Sequence, residues 1–277
     1  MTRIRLTSRE GIATARRVVV KVGSSSISGD NAGQIEPLVD ALSAAHARGT
    51  EVILVSSGAI ATGMPYLQLD ARPNDLATQQ AAAAVGQNVL IFRYQDSLRR
   101  YGIVAGQVLL TAGDLENPTH RSNAQRAMDR LLGLRILPIV NENDTVATHE
   151  IRFGDNDRLA ALVSQLVGAD ALVLLSDVDA LYTRPPLEPG AVKITDVPLG
   201  DDLAGVTFGD IGAAGVGTGG AGTKVSAARL AAASGTAVLI TSTANVSAAL
   251  SGESIGTWFE PADVSSPPTG SMSAVRP

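Results

Sequence analysis

Two polar clusters carry the residue types best suited to chemistry. Asn141-Glu142-Asn143-Asp144 closes an apolar run, Leu137 to Val140. Gly154-Asp155-Asn156-Asp157 stands directly before a periodic apolar stretch. In that stretch Leu159, Leu162, Val163, Leu166 and Val167 recur at the spacing of one buried helical face. A strand therefore ends in amides and carboxylates, and a helix starts from another such set. Carboxylate and amide oxygens accept from an ammonium group, while amide N–H groups donate to a carboxylate. The free N–H groups at a helix start favour an anion. Together these groups suit a small zwitterion. Either cluster alone reads more readily as a turn or an N-cap. Their pairing beside a strand end and a helix start is what points to a ligand.

Two lysines sit in comparable places. Arg17 to Val22 reads RVVVKV, a buried strand with Lys21 near its end, and Gly23-Ser24-Ser25-Ser26 follows. A lysine beside a Gly/Ser loop can meet phosphate, with loop amides adding donors. The stretch is not a Walker A sequence, and a lysine snorkelling from a strand edge is the alternative. The second lysine, Lys224, follows the glycine-dense run Gly209 to Gly222 and precedes the helical positions Val225, Ala228, Leu230 and Ala231. Glycines allow close backbone approach to a ligand, and a helix start adds favourable N–H groups. A flexible linker would have the same composition, but a helix and the strand Ala237 to Ile240 continue at once. Two further polar turns follow strands: Ser56-Ser57-Gly58-Ala59 after Glu51 to Val55, and Ser176-Asp177 after Ala171 to Leu175.

The elements that must position these groups alternate. Helices are expected from Ile35 to near Gly49, from Leu76 to Arg100 with a break near Gly86, from Ser122 to Leu132 and over 157–167. Strands are expected over Ile103 to Leu110 and 135–140, a short hairpin over Asp144 to Phe153, and loops over 65–75 and Tyr182 to Pro189. Residues 1–16 read as a ragged lead-in. The alternation predicts a three-layer α/β/α sandwich with a mainly parallel central sheet. In such sheets ligands gather at the carboxyl ends of the strands, where all the polar turns fall. One domain is expected over 1–260, with a Pro/Ser-rich disordered tail over 261–277.

Composition narrows the classes of function. The 277 residues are 45% hydrophobic but only 3% aromatic, so the core is Val, Leu, Ile and Ala. A net charge of −5 argues against a nucleic-acid partner. The absence of cysteine removes thiolate metal sites and cysteine nucleophiles, and the three histidines are scattered. No apolar stretch reaches membrane-spanning length, so no membrane partner is expected. The first residues are too polar for a secretory signal, which makes a cytoplasmic location the default.

The ordered set of motifs is specific. VVVKVGSSS at 18–26, SSGAIATG at 56–63, PIVNENDTVAT at 138–148, FGDNDRLAALV at 153–163, LLSDVDALYT at 174–183 and GTGGAGTK at 217–224 together resemble the amino acid kinase family. The likeness covers about 18–260. Within the family it points to the members that phosphorylate the side-chain carboxylate of L-glutamate, the first step of proline synthesis. The resemblance implies ATP and Mg2+ as cofactors. It implies that Lys21 and Lys224 flank the transferring phosphoryl group and that Asp157 holds both lysines. Ser57, Asp144 and Asn156 match glutamate-binding positions, with Asn141 near them. Lys21, Gly23, Ser24, Ser176, Asp177, Thr218, Gly219, Gly220, Ala221, Gly222, Thr223 and Lys224 match the nucleotide site. No protein metal ligand is implied. Proline is expected as an end-product inhibitor in the glutamate site, its nitrogen on Asp144 and its carboxylate on amides such as Asn156. A homo-oligomer, dimer or tetramer, is expected. Ala221 stands where many relatives have methionine, and many relatives carry a C-terminal PUA domain that is not expected here.

The implied chemistry suits the residues. A glutamate side chain, with a pKa of about 4.3, is already ionised at neutral pH and needs no general base. The task is positioning and neutralising charge as a carboxylate meets a polyphosphate. Rival readings are a kinase of the same fold acting on N-acetylglutamate, carbamate or UMP, and a non-catalytic nucleotide or amino-acid sensor. An acidic residue poised for a free ammonium, Asp144, favours an unacylated amino acid, and Lys21, Lys224 and Asp157 together argue against a sensor.

Overall fold

The central strand, β1 (Arg17–Val22), is buried at all six positions, as a β-branched run covered on both faces requires. The structure is a computed structural model that describes residues 4–147, 156–207 and 220–264. The strands that follow are β2 (Glu51–Ser56), β3 (Ala105–Leu110), β4 (Leu137–Glu142), β5 (Ala171–Ser176), β6 (Leu181–Tyr182), β7 (Lys193–Ile194), β8 (Asp196–Val197), β9 (Ala237–Ser242) and β10 (Thr257–Phe259). The helices are α1 (Ile35–Ala47), α2 (Ala59–Gly63), α3 (Leu76–Arg99), α4 (Ala112–Glu116), α5 (Pro118–Gly133), α6 (Asn156–Val167), α7 (Ala221–Ala233) and α8 (Val246–Leu250).

Eight strands form one sheet in the order β3-β4-β2-β1-β5-β9-β10-β8. The first six are mutually parallel; β10 runs antiparallel to β9, and β8 runs parallel to β10. Strands β6 and β7 make a separate antiparallel pair. The expected mainly parallel α/β/α sandwich is thus the observed one. Each strand alternates its side chains between two apolar layers. Val18, Val20 and Val22 join the layer holding Leu38, Leu42, Leu90 and Leu98 of α1 and α3. Val19 joins the layer holding Leu159, Val163, Val225 and Ala228 of α6 and α7. Lys21 shares the parity of Val19, so the alternation alone sends it to the α6/α7 side.

Several expectations change. Helix α3 runs unbroken through Gly86. That glycine is instead a contact point: a Cβ there would lie 1.8 Å from the Ala59 carbonyl oxygen, and one on Gly63 would lie 1.9 Å from that of Ala82. Backbone meets backbone between α2 and α3. Residues 4–16, expected as a ragged lead-in, pack against the fold. Leu6 and Ile12 are buried, and Arg9 donates to the carbonyls of Thr195 and Ile255 and to Asp196. Strand β3 begins at Ala105, and α5 begins at Pro118 because Asn117 caps it, accepting from the N–H groups of Thr119 and His120. The sheet edge beyond β9 has no counterpart in the expected elements. Of the expected hairpin, residues 148–153 lie outside the described residues, as do 265–277 of the expected tail. No described helix is long and apolar enough to cross a membrane.

Candidate active site

The carboxyl ends of β1, β2, β4 and β5 open toward the starts of α6 and α7. Helix α6 buries Leu159, Ala160, Val163 and Leu166 against the sheet. That packing drives its first turn inward and leaves Asp157 with no exposed surface. Lys21 arrives from β1 and Lys224 from the first turn of α7. Lys21 Nζ lies 2.5 Å from Asp157 Oδ1, and Lys224 Nζ lies 3.0 Å from Asp157 Oδ2. Thr223 donates from its hydroxyl to Gly220 O at 2.8 Å and lies 3.3 Å from Asp157 Oδ2. Both lysines are buried, at 2% and 7% exposure. Burial pushes the Asp157 carboxyl up, but the two ammonium groups outweigh it and hold the group below the usual carboxylate range. One carboxylate thus fixes two cations, and the centre keeps one net positive charge. Such a centre can receive an anionic group, and phosphoryl transfer needs stabilisation of that kind. The three predicted catalytic residues are therefore brought together.

Around this centre lie the predicted nucleotide positions. Gly23 sits over Lys21: a Cβ there would be 3.8 Å from Nζ. Ser24 abuts Gly58, whose φ of +96° is the left-handed region that favours glycine. Asp177, following Ser176 at the end of β5, accepts from Ser25 at 3.0 Å and Ser26 at 3.1 Å, so it braces the Gly/Ser loop after β1. Gly220 caps α7, and Ala221, Gly222, Thr223 and Lys224 form its first turn, with Ala221 packed on the apolar layer. Thr218 and Gly219 lie outside the described residues.

A row of amides adjoins the charged centre. Asn156 donates from Nδ2 to Ser56 O and to Asn141 Oδ1, both at 2.6 Å. Asn141 Oδ1 also accepts from Glu142 N, and Asn141 Nδ2 donates to Gln87 Oε1 at 2.7 Å. Both side-chain N–H bonds of Asn156 are consequently spent. The donor role expected of this amide toward a carboxylate is not open to it; what it has left to offer is Oδ1, an acceptor. Ser57 is half-buried just past β2, and its carbonyl accepts from the Ser56 hydroxyl. Behind it Ser56 Oγ and the buried Tyr94 hydroxyl are 3.0 Å apart. Burial pushes the Tyr94 phenol up, against the lowering effect of that hydrogen bond. Asp144 lies in a turn held by Thr145 Oγ1 on Asn143 Oδ1. It lines a cavity of about 280 Å³ with Gln87, Asn88, Gln107 and Glu142. Lys21, Asp157 and Lys224 do not line that cavity, nor do Asn141 and Asn156; the link between cavity and centre runs through the hydrogen bonds from Gln87 to Asn141 and on to Asn156. Gln87 was absent from the sequence-derived candidates. Its only local signal is a polar residue one place after the contact glycine of an alanine-rich helix.

Comparison with known proteins adds the following. The amino acid kinase family pattern matches residues 16–242. The chain is 78% identical over 254 residues to the glutamate 5-kinase of Clavibacter michiganensis subsp. michiganensis, covering 92% of this chain and 98% of that one. It is 75% identical over 254 residues to the glutamate 5-kinase of Leifsonia xyli subsp. xyli, covering 92% and 94%. Among solved structures it resembles the carbamate kinase of Giardia lamblia bound to AMP-PNP, with a TM-score of 0.65 and 17% identity over 90% of this chain and 100% of that one. At that identity the likeness speaks to the fold.

Proposed function

This chain belongs to the amino acid kinase family, and from that premise we propose that it transfers the γ-phosphoryl group of ATP to the side-chain carboxylate of L-glutamate. The observation that carries the reading is one buried carboxylate, Asp157, bridging both Lys21 and Lys224. High identity to proteins named glutamate 5-kinase supports the choice of acceptor. The reading places the reaction at the first step of proline synthesis, in the cytoplasm.

In the proposed step a side-chain oxygen of glutamate forms a bond to the γ-phosphorus. The bond from that phosphorus to the β,γ-bridging oxygen breaks, and ADP leaves with the electron pair. No proton moves, because the acceptor is already a carboxylate. Lys21 and Lys224 neutralise charge on the moving group, and Asp157 holds both at fixed positions. No group of three or more His, Cys, Asp or Glu able to cage a metal is found among the described residues. Mg2+ would accordingly enter on the phosphates of ATP, which suits its habit of keeping waters and phosphate oxygens as ligands. Bound there, it supplies further neutralisation of phosphate charge. The substrate ammonium is assigned to Asp144 and the Asn156 Oδ1 acceptor. That favours an unacylated amino acid over N-acetylglutamate, whose amide nitrogen bears no charge.

Proline offers the same ammonium and carboxylate without a reactive side chain, so inhibition is assigned to the same site. Self-association into a dimer or tetramer belongs to this reading too; the exposed Phe92 on α3, 63% accessible, is a surface available for it. The decisive assay is ADP release with ATP and Mg2+, comparing L-glutamate, N-acetylglutamate, aspartate and UMP. Glutamate alone should support turnover, and hydroxylamine should trap the acyl phosphate as a hydroxamate. Turnover with N-acetylglutamate but not glutamate would end the assignment.

A further inference from the structure

The amide row has a forced direction, and its far end is a donor with no hydrogen-bond partner among the described residues. Ser56 O is a backbone carbonyl, so Asn156 must present Nδ2 to it. The same Nδ2 reaches Asn141, which must therefore present Oδ1; the N–H of Glu142 imposes the same orientation independently. Asn141 is left with Nδ2 toward Gln87, and Gln87 must answer with Oε1. Each amide orientation is dictated by its neighbour, back to a main-chain carbonyl that cannot flip. Gln87 Nε2 is thereby turned away from the row and makes no hydrogen bond among the described residues. Gln87 lines the same cavity as Asp144. That cavity is lined by two carboxylates, Asp144 and Glu142, and by the Gln87 N–H2 donor, so it offers acceptors to an ammonium and a donor to a carboxylate on one carbon.

We infer that Gln87 is a specificity-determining residue whose Nε2 binds the α-carboxylate of the amino-acid substrate while Asp144 takes the α-ammonium. The inference rests on the glutamate reading above and goes beyond it. It reassigns the carboxylate contact from Asn156 to a residue on α3 and gives the amide row a purpose. The row holds Gln87 in the one orientation that presents a donor, and an α-carboxylate is selected because an acceptor-only group fits the Nε2 donor.

The test is Gln87→Glu, with Gln87→Met as companion. The glutamate side chain keeps an oxygen for Asn141 Nδ2, so the row persists, but it replaces the donor with a negatively charged acceptor. For L-glutamate, KM should rise at least tenfold, with kcat within about threefold and KM for ATP unchanged; losing a hydrogen bond to a charged group has this size. L-isoglutamine, with a carboxamide on the α-carbon and the same reactive side-chain carboxylate, should move less than threefold, because its amide can donate to the new carboxylate. If wild type does not turn isoglutamine over, its inhibition constant against glutamate is compared instead. Gln87→Met removes the donor and the acceptor together and should weaken both ligands. A merely structural role would move both ligands equally in Gln87→Glu, and that result overturns the inference. So does an unchanged KM for glutamate in a variant as stable to heat as wild type. Wild type that is active on glutamate beside an unaffected variant removes only the Gln87 assignment. Wild type with no glutamate-dependent ADP release removes the reading itself, and this assignment with it.

Discussion

Asp157 does two jobs that mutation should separate. It holds Lys21 and Lys224 where the phosphoryl group is proposed to pass, and it neutralises one of two buried cations. Replacing either lysine by alanine should lower kcat about 100-fold or more with a small change in KM for glutamate, because the lost charge acts on the transition state. Steady-state kinetics at saturating ATP would show it, and a kcat within about threefold of wild type would reject the role. Asp157→Asn should also destabilise the fold, by about 3–5 kcal/mol, since removing one partner leaves buried charge uncompensated. Urea titration measures this. The pH dependence has a definite sign. The carboxyl is held below its ordinary value in the folded chain, so its contribution is fully present above the unfolded pKa of about 4 and is lost as pH falls through the folded value. On the acid side, stability should therefore fall more steeply in wild type than in Asp157→Asn.

At the scale of elements, the packing of α2 on α3 sets the geometry of the Ser57 turn, because α2 follows Ser57 and Gly58 directly. Gly86→Ala would drive a methyl group into the Ala59 carbonyl. Overpacking of this kind costs about 1–3 kcal/mol, and displacement of α2 should raise KM for glutamate as well. Gly133→Ala, at the end of α5 with open space around it, should be neutral or stabilising by up to about 1 kcal/mol. Urea midpoints and glutamate KM for the pair test the contrast. The same glycines show where the sequence is legible. Runs such as RVVVKV and ALVLL announce buried parallel strands because β-branched and aliphatic residues serve both faces. A glycine in an alanine-rich helix reads as a break, and nothing local reveals a neighbouring helix so close that a Cβ at Gly86 would lie 1.8 Å from the Ala59 carbonyl oxygen. Strands β8 and β10, of two and three residues, are too short to display a period. The clusters around Asn141 and Asn156 declared polar chemistry, and the order of motifs joined Asp157 to the lysines. Gln87 stayed hidden because its bond to Asn141 spans 54 positions.

Across the whole molecule, the chain is closed by its own beginning. Arg9 is buried at 7% exposure and reaches Thr195, Asp196 and Ile255, so the first described residues lock the β8/β10 edge. Arg9→Ala should cost about 1.5–3 kcal/mol, the size of a charge-assisted hydrogen bond, while leaving KM for both substrates within about twofold; urea titration and kinetics on one preparation would test it. The lock also makes the two borders of the sheet unlike. One border is β3, six residues long and largely half-exposed. The other is β8, two residues long, with Asp196 engaged by Arg9. Short, occupied borders resist strand addition, and long ones invite it. A filament grown head to tail would need both borders to be receptive. Among the described residues β3 is the longer border, and two copies meeting β3 to β3 would use up the same surface on each and stop. Borders of such unequal length work against head-to-tail growth into open fibres.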